Sequence, residues 1–360
     1  MRRKNWFTPW LVAGCLLAFA FSLSPSPAVG GDPAPSLNPF GKPTVAKPFP
    51  SNDLNPVPNT GPPKVTRGTR AAGWLDQTRS EILARNGVVS TSEPQAAQAG
   101  LKILQDGGNA VDAAVATMAM IALQEPNSTG LGAEMFAIIW DAKTKKLYQI
   151  SANGPSPKKY TRELFILNNR PGASAGTGGP GTTGIWSAPI PGSVDGWDKM
   201  LNRFGTMKFK EVLEPARRSA FEGFPVHEVL ADSFRGSSSS LCNSSRDPDT
   251  PYVYCKAGQV PGLYSIFKNP DMGHAFEVLQ KKGRDAFYKG EIAQAIVNKA
   301  NSLGVLVPGG GTQFWTMDDL ASYQARWEEP LKTNYHGYDI YETPPPSHCE
   351  KSALPAPTAA

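Results

Sequence analysis

Four histidines, His227, His274, His336 and His348, are the side chains best suited to proton transfer or metal binding near neutral pH. No two of them stand at metal-ligand spacing, and no Cys/His set at zinc spacing occurs, so the sequence implies no metal. Each histidine reads as an exposed or hydrogen-bonded structural residue. The carboxylates Glu93, Asp112, Glu125 and Glu134 fall within one stretch, but nothing in their spacing pairs an acid with a base. Glu93 reads as a helix-start residue and Asp112 as a buried hydrogen-bonding group. The Gly-rich run over 171–184, PGASAGTGGPGTTG, lacks the lysine of a phosphate loop and the flanking strand and helix of a dinucleotide site. It reads as a loop.

These carboxylates belong to the most constrained part of the chain, Asn86–Trp140. A short strand opens it. A first helix starts after Ser92, with Pro94 in its first turn, where a missing amide costs nothing. Gly107-Gly108 supplies a left-handed stop. A second helix, Ala110 to Leu123, is apolar all round and is therefore predicted to be buried. Glu125-Pro126 ends it, and Asn127-Ser128-Thr129-Gly130-Leu131-Gly132 turns the chain into a strand over Met135–Trp140. The polar run Asp141–Lys146 between FAIIW and LYQIS predicts a hairpin. Ala152–Pro157 then forms a loop at a strand end, a usual place for substrate contacts.

Further along, a short strand is expected over Ile185–Pro191, a helix over Val194–Arg203 and helical spacing over Met207–Phe224. A polar insertion follows over Gly236–Pro251. Surface helices are expected over His274–Lys282 and Glu291–Ser302, and a capping-box start at Thr316. Tyr335–Tyr341 reads as a strand.

The chain has 360 residues and a net charge of +5, with 40% hydrophobic and 19% charged residues, proportions that suit a globular protein. No basic cluster is interleaved with aromatics, so no nucleic-acid partner is implied. Arg2, Arg3 and Lys4 precede an apolar run from Phe7 to Phe21, and Ser26-Pro27-Ala28 offers a cleavage site. Residues 1–28 therefore read as an export signal, which predicts a periplasmic or extracellular protein. Val12-Ala13-Gly14-Cys15 offers a second reading, a lipobox that would tie the chain to a membrane through Cys15. Residues 29–66 are a Pro-rich linker, 67–347 the folded region and 348–360 a tail of different character. Cys242 and Cys255 flank a polar loop, and an oxidising compartment would allow them to pair, with two unpaired thiols as the other reading.

Gly107-Gly108-Asn109-Ala110-Val111-Asp112-Ala113-Ala114, Glu125-Pro126 and Ser128-Thr129-Gly130-Leu131-Gly132 resemble the start of the gamma-glutamyltranspeptidase family. Matching segments follow in the family's order: Ala188–Gly196, Pro215–Val226, Asp319–Tyr323, Glu329–Leu331, Tyr335–Tyr338 and Pro344–Ser347. The resemblance covers roughly Arg79 to Ser347. It implies an α+β fold, the N-terminal-nucleophile hydrolase αββα sandwich, and a precursor that cuts itself into large and small subunits. The small subunit's new N-terminal threonine would be the nucleophile, with its own α-amine as base. The implied reaction moves a γ-glutamyl group, typically from glutathione, to water or an amino acid. No cofactor is implied.

Two departures are visible. No threonine here is followed two positions later by histidine, the pattern of the family nucleophile, and Thr182-Thr183 lies too early to serve. The chain is thus expected to lack a catalytic residue and to be a large-subunit region that ends before the small subunit, with an incomplete sandwich. Its partner would be a small γ-glutamyl or other amide substrate once a small subunit completes it. The second departure is Asn153, which occupies the place of the family arginine that holds the substrate α-carboxylate. Asn153 supplies hydrogen bonds but no charge, and Lys158 or Lys159 could compensate. Other readings are a non-catalytic exported binding or scaffold protein, or an amide hydrolase of the same fold acting on something other than glutathione.

Overall fold

The computed structural model describes residues 82–168, 184–243 and 249–345. The expected export signal and linker, the Gly-rich run over 171–183 and the tail lie outside the described residues. The described residues fall into two units: 82–331 with 342–345, and 332–341.

Residues 87–91 form no strand. Helix α1, Pro94–Gln105, begins with the proline in its first turn, and Gly107, at φ 94°, ends it. Helix α2, Ala110–Gln124, starts at a capping box in which Asn109 and Asp112 satisfy each other's backbone amides. Its buried residues lie on every side, as its uniform apolar sequence requires. Strands β1 (Met135–Asp141) and β2 (Lys146–Ala152) form the antiparallel hairpin. Asp141 closes its turn by accepting from Lys143 N at 3.0 Å and Thr144 Oγ1 at 2.7 Å. Helix α3 spans Arg162–Leu167.

In place of the strand expected over Ile185–Pro191, residues Gly184–Ser187 form a 3-10 turn. Pro189 and Pro191 lack amides, and the Ile190 amide is spent on Pro155 O at 2.9 Å, so no ladder can run there. Helix α4, Ser193–Phe204, packs its buried Val194, Trp197 and Leu201 into the core. The helical pattern over Met207–Phe224 is divided into α5 (Phe209–Val212) and α6 (Glu214–Glu222). Pro215, which has no amide, sits in the first turn of α6 and marks the break.

Strand β3 (Phe224–Pro225) and helices α7 (Glu228–Gly236), α8 (Ser238–Leu241) and α9 (Asp249–Tyr254) follow. The expected polar insertion thus carries helical turns. Cys242 and Cys255 are joined by a disulfide, with Cα atoms 5.2 Å apart, which ties the end of α8 to the end of α9. Strand β4 (Ile266–Phe267) pairs with β3. Helices α10 (Pro270–Lys282), α11 (Arg284–Tyr288) and α12 (Glu291–Ser302) bury Phe276, Leu279, Phe287, Tyr288, Ile292 and Ile296. Thr316 and Asp319 cap α13, Met317–Ala321.

Strand β5, Arg326–Glu328, joins β2 from the far side, so the main sheet has the order β1-β2-β5, all antiparallel. Arg203 of α4 lies 4.3 Å from the Tyr148 ring and 4.6 Å from the Trp327 ring, which pins α4 across both strands. In the second unit, the expected single strand over Tyr335–Tyr341 is a hairpin, β6 (Leu331–Tyr335) and β7 (Tyr338–Glu342). His336 and Gly337 adopt φ of 50° and 86°, which reverses the chain.

Candidate functional site

The register of the main sheet decides which residues share its end. Met135 pairs with Ala152, and Ser151 with Arg326. β1 therefore begins where β2 ends and where β5 begins. Glu134, Asn153 and Arg326 come to that one end from three distant parts of the chain.

A close approach of two backbones builds the corner. A Cβ on Gly154 would stand 1.6 Å from Ile190 O, and one on Gly192 would stand 1.9 Å from Ala152 O. Only glycine at both places lets the loop after β2 lie against the segment that leads into α4. Gly192 N and Ser193 N both donate to Ala133 O, at 3.1 and 2.9 Å, and Ser193 Oγ donates to the same oxygen at 2.7 Å. The start of β1, the end of β2 and the start of α4 are thereby held as one piece.

A buried polar network supports the corner. Asp195 is fully buried in the first turn of α4. Its carboxylate pairs with Arg284 Nε and accepts from Ala325 N at 2.5 Å. Arg284 Nη2 donates to Tyr323 O at 2.7 Å, and its guanidinium lies 4.4 Å from the Tyr288 ring centre. Tyr288 Oη donates to Pro191 O at 2.9 Å, and Tyr288 stacks on Tyr323 with ring centres 5.6 Å apart. The Tyr323 hydroxyl reaches the underside of the Gly192 turn and has no hydrogen-bond partner. Burial pushes its pKa up, and the charges of Asp195 and Glu134 push the same way.

The other sequence candidates sit elsewhere. Lys158 and Lys159 are engaged away from Asn153: Lys158 Nζ pairs with Asp318, and Lys159 Nζ donates to Gln313 O at 2.6 Å. Glu93 is buried and pairs with His227, whose Nδ1 caps α7 by accepting from Leu230 N at 3.4 Å. His274 faces Glu277 at 3.3 Å and His336 lies in the β6–β7 turn. His348 and Thr182-Thr183 lie outside the described residues. Among the described residues no group of three or more His, Cys, Asp or Glu could hold a metal, and no helix is long and apolar enough to cross a membrane. A groove of about 990 Å³ runs past Lys102, Asp106, Lys210, Glu214 and Arg218, away from the strand ends. Lys102 pairs there with Asp106, and Glu214 with the neighbouring Arg217, so these charges are already neutralised.

Sequence reasoning missed Arg326, Tyr323 and the Asp195–Arg284 pair. The alternation Arg326-Trp327-Glu328 was the available signal for β5, but three residues are too few to show a period.

The same mixed fold occurs in solved structures. Helicobacter pylori gamma-glutamyltranspeptidase superposes with a TM-score of 0.65 at 26% identity, over 74% of this chain and 72% of that one. Among relatives, a glutathione hydrolase-like YwrD proenzyme of Bacillus subtilis is 34% identical over 253 residues, 70% of this chain and 44% of the relative. A glutathione hydrolase proenzyme of Escherichia coli is 30% identical over 270 residues, 74% of this chain and 43% of the relative. This chain spans less than half the length of either. Residues 96–353 match the family model for gamma-glutamyltranspeptidase, and the chain belongs to that family.

Proposed function

We propose that the protein is an N-terminal-nucleophile acyltransferase or hydrolase acting on γ-glutamyl amides, and that this chain supplies its large-subunit region. The family match over 96–353 carries this reading. A small-subunit segment would contribute the nucleophilic threonine, since no threonine of this chain stands two residues before a histidine. That threonine attacks the γ-amide carbonyl, its own α-amine takes the hydroxyl proton and passes it to the leaving nitrogen, and the C–N bond breaks to free the amine and leave the acyl-enzyme. Water or an amino acid then takes the acyl group. The contribution of this chain is positioning. Its rigid corner presents Asn153, Glu134 and Arg326 at one strand end, with no step of bond cleavage assigned to them.

The neutral Asn153 favours a second reading within the same chemistry, an amide substrate other than glutathione. Export is part of the proposal, supported by the basic and apolar N-terminal run and by the Cys242–Cys255 disulfide, which an oxidising compartment would maintain. Calorimetric titration of the purified protein tests the substrate class. Saturable binding of glutathione, displaced by other γ-glutamyl amides, is expected. Saturable binding of simple acyl amides together with none of γ-glutamyl compounds would move the reading to an acylase.

A further inference from the structure

Helices α8 and α9 have little of their own to hold them. α8 has four residues and buries none, and α9 has six and buries only Val253 and Tyr254. Helices this short do not form by themselves in water, so something outside them must fix their shape. The Cys242–Cys255 disulfide does so. Cys242 caps α8, Cys255 directly follows α9, and the bond joins the two ends across 13 positions.

Two inward contacts depend on where α9 lies. Tyr254 stacks on Phe267 with ring centres 5.4 Å apart and meets Phe234 at 5.6 Å, while Phe267 packs edge-on against Phe224 at 5.6 Å. At its other end, Asp249 pairs with Lys299 of α12 at 2.7 Å, and the Lys299 side chain is only 13% exposed. Two positions further along α12, Asn301 accepts from Phe314 N and Trp315 N, both at 3.0 Å, and donates to Trp315 O at 2.9 Å. The disulfide, by contrast, sits near the surface. Both cysteines are half-buried, the Lys256–Gln259 turn beside them is exposed, and so is Tyr252. A dissolved thiol reaches such a bond, whereas one sealed in a core is out of reach.

We propose that Cys242–Cys255 is a thiol-operated clamp: a low-molecular-weight thiol opens it and so loosens α9 from Phe267 and from Lys299. A thiolate attacks one cysteine sulfur, the S–S bond breaks, and the other cysteine leaves as a thiolate that takes a proton from water. A second thiolate then attacks the added sulfur of this mixed disulfide and frees the first cysteine, which is protonated in turn. Two thiols are thereby oxidised to one disulfide while the cysteine pair is reduced to two thiols. The clamp goes beyond the γ-glutamyl reading and does not rest on it.

Hydrogen–deuterium exchange of the purified protein with and without β-mercaptoethanol tests the clamp, with alkylation and peptide mapping to count free thiols at Cys242 and Cys255. Both cysteines should become alkylatable in the folded protein. Exchange over 249–255 should rise about tenfold or more, with a smaller rise over 296–302, while α1 and α2 stay protected. Cys242→Ser combined with Cys255→Ser should show the raised exchange without thiol and no further response to it. Its thermal midpoint should lie roughly 5–10 °C below wild type. A bond that resists the thiol in the folded protein would overturn the clamp, as would reduction with no change in α9. A rise spread evenly over the whole chain, or a double variant that does not fold, would also overturn it, because the bond would then hold the entire fold rather than one helix.

Discussion

Asp195 and Arg284, 89 residues apart, form an ion pair with only 1% and 15% of their side chains exposed, and it holds the first turn of α4 to α11 beneath the strand-end corner. A charge this deep is tolerated because its partners are complete: Arg284, Ala325 N and Lys199 surround the Asp195 carboxylate. Removing one member strands the other. Asp195→Ala should cost about 3–5 kcal/mol in urea unfolding. The double change Asp195→Leu with Arg284→Met should cost less than the sum of the two single changes. Additive costs would show that the two do not act as a pair.

Asp112 ties the start of α2 to the chain after α4. Its carboxylate accepts from Asn109 N at 2.8 Å, Thr206 Oγ1 at 2.6 Å and Met207 N at 3.1 Å. Asparagine keeps one acceptor oxygen and turns an NH2 toward donors. Asp112→Asn should therefore destabilise by about 2 kcal/mol, and Asp112→Ala by more, because several buried amides lose their partner. Equal stability of Asp112→Asn and wild type in chemical denaturation would contradict this bonding scheme.

Gly192 carries the tightest requirement at the candidate site. An added methyl meets Ala152 O at 1.9 Å and Tyr323 Oη at 2.8 Å, and backbone must move to admit it. Gly192→Ala should cost about 3 kcal/mol and shift the Asn153 loop. Thermal melting reads the first effect. Loss of ligand affinity larger than in a surface glycine control, Gly236→Ala, reads the second.

The Glu93–His227 contact predicts a pH dependence. Burial raises the Glu93 carboxyl above its ordinary range; His227 opposes the shift and the charge of Glu125 adds to it. The folded state then holds this proton more tightly than the unfolded state does. The contribution is fully present below the ordinary value of 4.5 and is lost as pH rises through the folded-state value. Urea unfolding between about pH 4 and 7 should show a component that falls with pH, and Glu93→Gln should remove it. An unchanged slope in that variant would rule Glu93 out as the source.

Local signals in the chain were strong enough to define α1, α2, the β1–β2 hairpin, α4 and the cap of α13, because Pro94, Gly107, Asn109 and Thr316 each act within one turn. Elements failed where a single residue overrode a pattern. Pro215 broke a helical period, two prolines removed the amides of an apparent strand, and His336-Gly337 folded an alternating run back on itself. Asn153 was found at its strand end from the sequence. The residues beside it were not, because Arg326 reaches Ser151 through a pairing across 175 positions that no local spacing encodes. The Asp195–Arg284 pair was hidden for the same reason.

On the proposed function, this chain positions the substrate of a γ-glutamyl enzyme whose nucleophile lies in a small-subunit segment. Release of p-nitroaniline from γ-glutamyl-p-nitroanilide tests it most directly. The assay compares the chain alone with the chain produced together with a small-subunit segment that carries a Thr-x-His motif. No release is expected from the chain alone and steady release from the combination, abolished when the motif threonine becomes alanine. Turnover by the chain alone would contradict it, because the nucleophile would then reside within these 360 residues.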